Sequence, residues 1–166
     1  LAAERPFVIA GGSGWDAEAA AALQRFAENW QLPVGCAFRF QDCFDNRHPN
    51  YAGDVGIGIN PKLGDYIKKA DVVLLVGCRF GEMPSSDYTL MKSPYPDQKL
   101  VHVYPDASEL GRVYRPTVAI NATPSAFARA TNAACSEGVK RSSIRFVTRS
   151  ARWGTVVQDT ERPGGV

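Results

Sequence analysis

Arg79 is the residue whose position in the chain most suggests chemistry. It stands in Gly77-Cys78-Arg79-Phe80, directly after the unbroken apolar run Val72-Val73-Leu74-Leu75-Val76. A run this short, rich in β-branched residues, predicts a strand covered on both faces in the middle of a parallel sheet. Ligands of open α/β sheets sit in the crevice at the carboxyl ends of the strands, which would place Arg79 to meet an anion. An arginine on a solvated turn fits the same spacing, and spacing alone leaves both readings open.

A second candidate lies near the amino end. Gly12-Ser13-Gly14-Trp15-Asp16-Ala17 matches G-x-G-x-x-A. In a dinucleotide site such glycines let a pyrophosphate approach the backbone at a helix amino end. The acid expected about 20 residues on, to hold a ribose, is missing, because the next strand runs into Phe38-Arg39-Phe40. The incomplete fingerprint favours a tight strand-to-helix turn without a ligand over an NAD site.

The remaining reactive side chains form no constellation. Cys36, Cys43, Cys78 and Cys135 include no C-x-x-C pair, and only His48 and His102 could join them around a metal. Scattered cysteines of this kind are expected as reduced thiols in the cytoplasm. No G-x-S-x-G, H-E-x-x-H or G-x-x-x-x-G-K-[ST] motif occurs, and the carboxylates are dispersed. His102 falls inside a strand pattern, which suits a packed or hydrogen-bonded histidine.

The elements that must position these residues follow in order. Pro6-Phe7-Val8-Ile9-Ala10 reads as a first strand. Residues 17–30 read as a helix with Leu23, Phe26, Ala27 and Trp30 on one face and Asp16 at its cap, and residues 32–38 as a second strand. A long polar connection leads to residues 51–59, whose glycines alternate after Asp54, the pattern of a short strand or turn that a ligand or another backbone approaches closely. Pro61 can open a short helix that ends near Lys69. After the central strand and a second long loop over residues 81–98, Lys99-Leu100-Val101-His102-Val103-Tyr104 is a further strand. Residues 108–111 suggest one helical turn, residues 116–120 an edge strand, and Thr123-Pro124 a capped helix start. Beyond Thr131 helical periodicity gives out.

Composition bounds the class. The chain has 166 residues, 45% hydrophobic and 22% charged, which suits one domain with its own core. No apolar run approaches the roughly 20 residues needed to cross a bilayer. The amino end does not read as a signal peptide. The chain starts Leu1-Ala2-Ala3 without a Met, as a piece of a longer protein or a processed end would. Residues 1–130 carry 13 Lys/Arg and 14 Asp/Glu, whereas residues 131–166 carry 6 and 3. A near-neutral body offers no electrostatic footprint for nucleic acid. The basic remainder, with Phe146 and Trp153 interleaved, could contact nucleic acid, but a linker or poorly ordered tail suits it better.

Several stretches line up as a series: residues 6–14, then Asn46-Arg47-His48-Pro49-Asn50-Tyr51-Ala52-Gly53, Gly56-Ile57-Gly58, Ala70-Asp71 through Phe80, and Lys99 through Asp106 with Glu109-Leu110-Gly111. Over about residues 5–130 the series resembles the central domain of thiamine-diphosphate-dependent enzymes of the acetolactate synthase and 2-oxo acid decarboxylase type. The resemblance implies a three-layer α/β/α Rossmann-like fold with a six-stranded parallel sheet. It implies partners too: a pyrimidine domain with the glutamate that activates the cofactor, and a diphosphate domain whose G-D-G motif binds Mg. Neither is contained in this sequence, so the chain itself is expected to be non-catalytic. The full-length parent is expected to be a cytoplasmic homo-oligomer that makes or breaks a carbon–carbon bond next to a carbonyl. Some relatives hold FAD or ADP on this domain, and the matching positions are Gly11, Gly12, Gly56, Gly58, Arg79 and Asp106. Tyr104 replaces the first acid of that pattern, removing an acceptor for the ribose. Residues 131–166 do not match. The alternative, of another class, is a free-standing FAD, ADP or NAD binding module.

Overall fold

A computed structural model describes residues 3–136 of the chain. Six strands form one sheet: β1 (Pro6–Ala10), β2 (Val34–Ala37), β3 (Tyr51–Val55), β4 (Val72–Val76), β5 (Lys99–Tyr104) and β6 (Val118–Asn121). Their order is β3-β2-β1-β4-β5-β6, and every neighbouring pair is parallel. This is the doubly wound arrangement, whose order reverses between β1 and β4. There the register runs from Pro6 opposite Val72 to Ala10 opposite Val76.

Alternation along β1 divides the core into two halves. Val8 and Ala10 face one side, where they meet Ala19, Ala22 and Leu23 of α1 (Ala17–Trp30) and Ala128 of α3 (Pro124–Ser136). Phe7 and Ile9 face the other, against Leu63 and Ile67 of α2 (Pro61–Lys68) and Leu90 and Met91 of the long loop. Full burial of a side chain such as Leu23 or Phe7 stabilises the fold by about 1.5–3 kcal/mol. The three-layer α/β/α expectation is met, with α2 and the loop together forming the third layer.

Local chemistry sets the helix limits. Asp16 caps α1, its carboxylate accepting from the Ala19 amide at 2.8 Å. Asn60 caps α2 ahead of Pro61, and the Thr123 hydroxyl accepts from Ala126 ahead of Pro124. Asn50, in the polar connection, closes the other end of α1 by donating its amide to the carbonyls of Ala27 and Leu32 at 3.2 and 2.9 Å. His48 supports it, with Nε2 2.9 Å from Glu28 Oε1 and Nδ1 accepting from the Asn50 amide.

The strand or turn expected over residues 51–59 divides into β3 and, at residues 56–59 with the alternating glycines, a turn closed by Ile59 N donating to Gly56 O at 3.1 Å. α3 does not stop near Thr131 but runs to Ser136, held to α1 by Arg129 pairing with Asp16 and Glu18 and by Arg25 donating to Asn132. Periodicity missed this last turn because polar contacts with α1 hold it. The tail or linker expected for the basic remainder falls, from residue 137 on, outside the described residues.

Candidate functional site

The turns after β1 and β4 meet at the switch point of the sheet and border a cleft of about 360 Å³. Gly12 and Ser13 come from the β1 turn, Phe38 and Phe40 from beyond β2, residues 77–84 from beyond β4, and Tyr104 from the end of β5. Phe38, Phe40, Phe80 and Tyr104 supply aromatic rings to the walls, and Arg79 is the cation among the lining residues.

Glycine is required under this cleft by the protein itself. Gly12 adopts φ +76° and Gly77 φ +71°. A Cβ on Gly12 would fall 1.8 Å from the Gly77 carbonyl oxygen, and one on Gly77 2.5 Å from that of Gly11. Gly11 is tight as well, its missing Cβ lying 2.7 Å from that of Ala37. The rest of the G-x-G-x-x-A stretch is likewise engaged internally. Trp15 Nε1 donates to the Gly11 carbonyl at 2.9 Å, and the Ser125 hydroxyl of α3 donates to that of Gly14.

The amino end of α1 is no seat for a phosphate. Asp16 occupies it, its carboxyl held below the usual range by the Ala19 amide first and by Arg129 second. Glu18 adds a further carboxylate in the first turn. Two acids there oppose an incoming anion.

Arg79 lines the cleft mouth but already has an anion. Its Nε lies 3.2 Å from Glu109 Oε2, and Arg112 Nη1 lies 2.7 Å from the other oxygen. The Glu109 side chain is only 7% exposed, while the Arg79 side chain is 62% exposed. Asp106, exposed, caps its own loop, accepting from the Ser108 amide and hydroxyl at 2.9 and 2.7 Å, and these bonds hold its carboxyl low.

The six sequence-selected positions therefore divide. Gly12 and Arg79 line the cleft, and Gly11 is buried beside Ala37. Asp106 is in the Arg79–Arg112 charge cluster. Gly56 and Gly58 lie in the turn after β3, where Gly56 packs on Phe38 and accepts from the Ser86 hydroxyl, while Gly58 (φ +74°) faces open space. Sequence reading named Glu109 in the motif series and Phe38-Arg39-Phe40 after the second strand without placing either in the site. Their signals were the acid three residues before Arg112 and the Phe38-Arg39-Phe40 alternation.

The remaining titratable groups stabilise the site's frame. His102 Nε2 donates to the Cys78 carbonyl at 3.0 Å, fixing the β4 turn, and burial lowers its pKa. Burial pushes the thiols of Cys36 and Cys43 up to about 12, far from nucleophilic. Among the described residues, no group of three or more His, Cys, Asp or Glu side chains could hold a metal ion, and no helix is long and apolar enough to cross a membrane.

Comparison with known proteins bears on this architecture. The family model for the thiamine pyrophosphate enzyme central domain matches residues 1–131. The "Probable acetolactate synthase large subunit" of Methanocaldococcus jannaschii is 30% identical over 117 residues, 70% of this chain and 19% of the relative. Glyoxylate carboligase of Escherichia coli O157:H7 is 33% identical over 122 residues, 72% and 20% of the two chains. The 3D-(3,5/4)-trihydroxycyclohexane-1,2-dione hydrolase of Clostridium perfringens is 32% identical over 100 residues, 60% and 16%. The chain thus spans about a fifth of the length of the first two relatives. With every strand of the sheet inside the matched residues, the chain belongs to the thiamine pyrophosphate enzyme central-domain family.

Proposed function

We propose that this chain is the non-catalytic central domain of a longer thiamine-diphosphate-dependent enzyme of the acetolactate synthase type. It would space a pyrimidine domain from a diphosphate domain and help subunits associate in a cytoplasmic homo-oligomer. Thiamine diphosphate supplies the carbanion stabilisation needed to make or break a carbon–carbon bond next to the carbonyl of a 2-oxo acid. The cofactor and its Mg²⁺ would be held by those two other domains, since the described residues here contain no metal-ligand cluster. Residues 1–130, with the rest of α3 to Ser136, are the body of the domain, and the basic stretch from there to residue 166 would be its tail or linker.

One observation carries this reading: the central-domain match covers the residues that build the whole sheet, while in the first two relatives the matching stretch is only about a fifth of the length. The side chains described here fit a frame. Glycine turns lock β1 to β4, and buried thiols and a carbonyl-bonded histidine fill the interior. The test is turnover of a 2-oxo acid such as glyoxylate by the purified chain with thiamine diphosphate and Mg²⁺. None is expected from the chain alone, and measurable turnover without partner domains would overturn the reading.

A module for FAD, ADP or NAD is less well supported. The cleft offers aromatic walls, but Asp16 stands where a pyrophosphate would sit and Glu109 holds Arg79. Calorimetric titration with each nucleotide is expected to show no heat of binding.

A further inference from the structure

The two edge strands of the sheet, β3 and β6, are built differently. β3 is blunted. Its pairing with β2 skips a residue between Tyr51 and Gly53, Gly53 takes φ +126°, and Asp54 carries a charge that accepts from the Gln41 amide. Irregular pairing and charge are features that keep an edge from taking up another strand. β6 has neither. Its register with β5 is unbroken from Val118 to Asn121, and its residues are uncharged and mostly exposed. Among the described residues no strand lies on its outer side.

The two ends of this edge carry opposite charges. Arg115, just before β6, is exposed, and its guanidinium has no hydrogen bond or ion pair among the described residues. Its amide donates to Pro94 O at 2.7 Å, on a loop where Tyr95 is 72% exposed. Asp106 lies at the other end, where the Asn121 side-chain amide donates to the Tyr104 and Pro105 carbonyls at 3.1 and 2.8 Å. Both Ser108 bonds fall on Asp106 Oδ1, which leaves Oδ2 without one. Arg79 and Arg112 attract that carboxylate from a distance, each being paired with Glu109.

Such an edge is complementary to itself. Two copies meeting antiparallel about a two-fold axis bring the Arg115 end of each strand to the Asp106 end of the other. The uncharged strand between sets no like charges opposite one another. We propose that β6 is the edge on which a second copy of this chain pairs, antiparallel, joining the two sheets into one, with Arg115 facing the other copy's Asp106. The proposal rests on the assembly role given above and names its surface. A four-residue strand buries well under the roughly 1,200 Å² of a stable interface. The dimer is therefore expected to be weak, with a Kd on the order of 0.1 mM.

Sedimentation velocity of the purified chain tests this. The weight-average sedimentation coefficient should rise with concentration through about 0.1 mM, while hydrogen exchange slows at Val118 to Asn121. Val118→Lys combined with Ala119→Lys should keep the chain monomeric at the same concentrations, with Tm unchanged in dilute solution. Arg115→Asp and Asp106→Arg should each raise the Kd about tenfold, and the two together should restore it. A wild-type chain still monomeric at about 1 mM overturns the proposal. So does a dimer that persists in the β6 double variant, or one that leaves exchange at β6 unchanged. If that variant loses Tm, the charge exchange decides: a Kd not restored by the combined substitutions overturns the antiparallel pairing, and the proposal with it. None of these outcomes touches the central-domain reading, which fails on turnover by the chain alone.

Discussion

Gly77 occupies the missing side-chain space of Gly12, as the Gly11 carbonyl occupies that of Gly77. The Gly77 carbonyl oxygen stands 1.8 Å from where a Gly12 Cβ would be, so the β1 and β4 turns touch backbone to backbone. Both residues also hold left-handed φ values, so an L side chain is disfavoured twice over at each position. The contact closes the floor of the cleft at the point where the strand order reverses.

Gly12→Ala is therefore expected to cost on the order of 3–5 kcal/mol, at the upper end of single-substitution effects. Gly58→Ala provides the control, since Gly58 shares the left-handed φ but has nothing within 4 Å of its missing Cβ. Its cost should be about 1 kcal/mol, the backbone term alone. Urea unfolding of the two variants checks the difference. Equal losses would show that backbone conformation, and not the approach of Gly77, selects glycine at position 12.

The polar connection yields a second prediction. Asn50 donates to Ala27 and Leu32, the carbonyls where α1 ends and the chain turns toward β2. Asn50→Ala should cost roughly 1 kcal/mol, because the Leu32 carbonyl loses this side-chain donor while the Ala27 carbonyl keeps the Leu32 amide. Asn50→Asp keeps the shape but turns a carboxylate oxygen toward the same carbonyls, and should lose at least as much. If denaturant midpoints show Asp tolerated better than Ala, the contact is one of packing and not of hydrogen bonding.

The sheet was legible in sequence because parallel strands buried on both faces appear as short apolar runs. β1 and β4 are such runs, and their limits, like those of the less apolar β5, agree with the residues expected. Asp16 and Thr123 announced their helices through side-chain chemistry that acts within one turn. The site was harder to read. Whether a glycine serves a ligand or a neighbouring turn depends on what crosses it, and Gly77 lies 65 positions from Gly12. Arg79 read as a free cation because Glu109, its partner, comes from beyond β5. The last turn of α3 was missed because contacts such as Arg25 with Asn132 hold it, and these leave no apolar period.

Glu109 supplies a third prediction. Its carboxylate is buried between two arginines that are themselves more than half exposed. Solvent screening of Arg79 and Arg112 limits the ion pairs, so Glu109→Gln should cost only about 1 kcal/mol. The same change leaves Arg79 without its internal anion. ADP, for which no binding heat is expected with the unmodified chain, should then gain measurable affinity in calorimetry. No gain would mean that the geometry of the cleft, and not the neutralised arginine, keeps the nucleotide out.

His102 makes stability depend on pH. Burial lowers its pKa below 6.5, outweighing the Cys78 carbonyl and the more distant Glu109, both of which raise it. A base whose folded pKa is depressed binds its proton more readily in the unfolded chain. The stability it contributes is therefore complete above about 6.5 and lost as pH falls through the folded value. His102→Gln can retain an N–H for the Cys78 carbonyl while removing the titration. Between pH 8 and pH 5 the wild-type chain should lose more unfolding free energy than the Gln variant, as read from urea midpoints at each pH. Parallel losses would mean that His102 carries no proton linkage, and that the carboxylates alone set the acid limb.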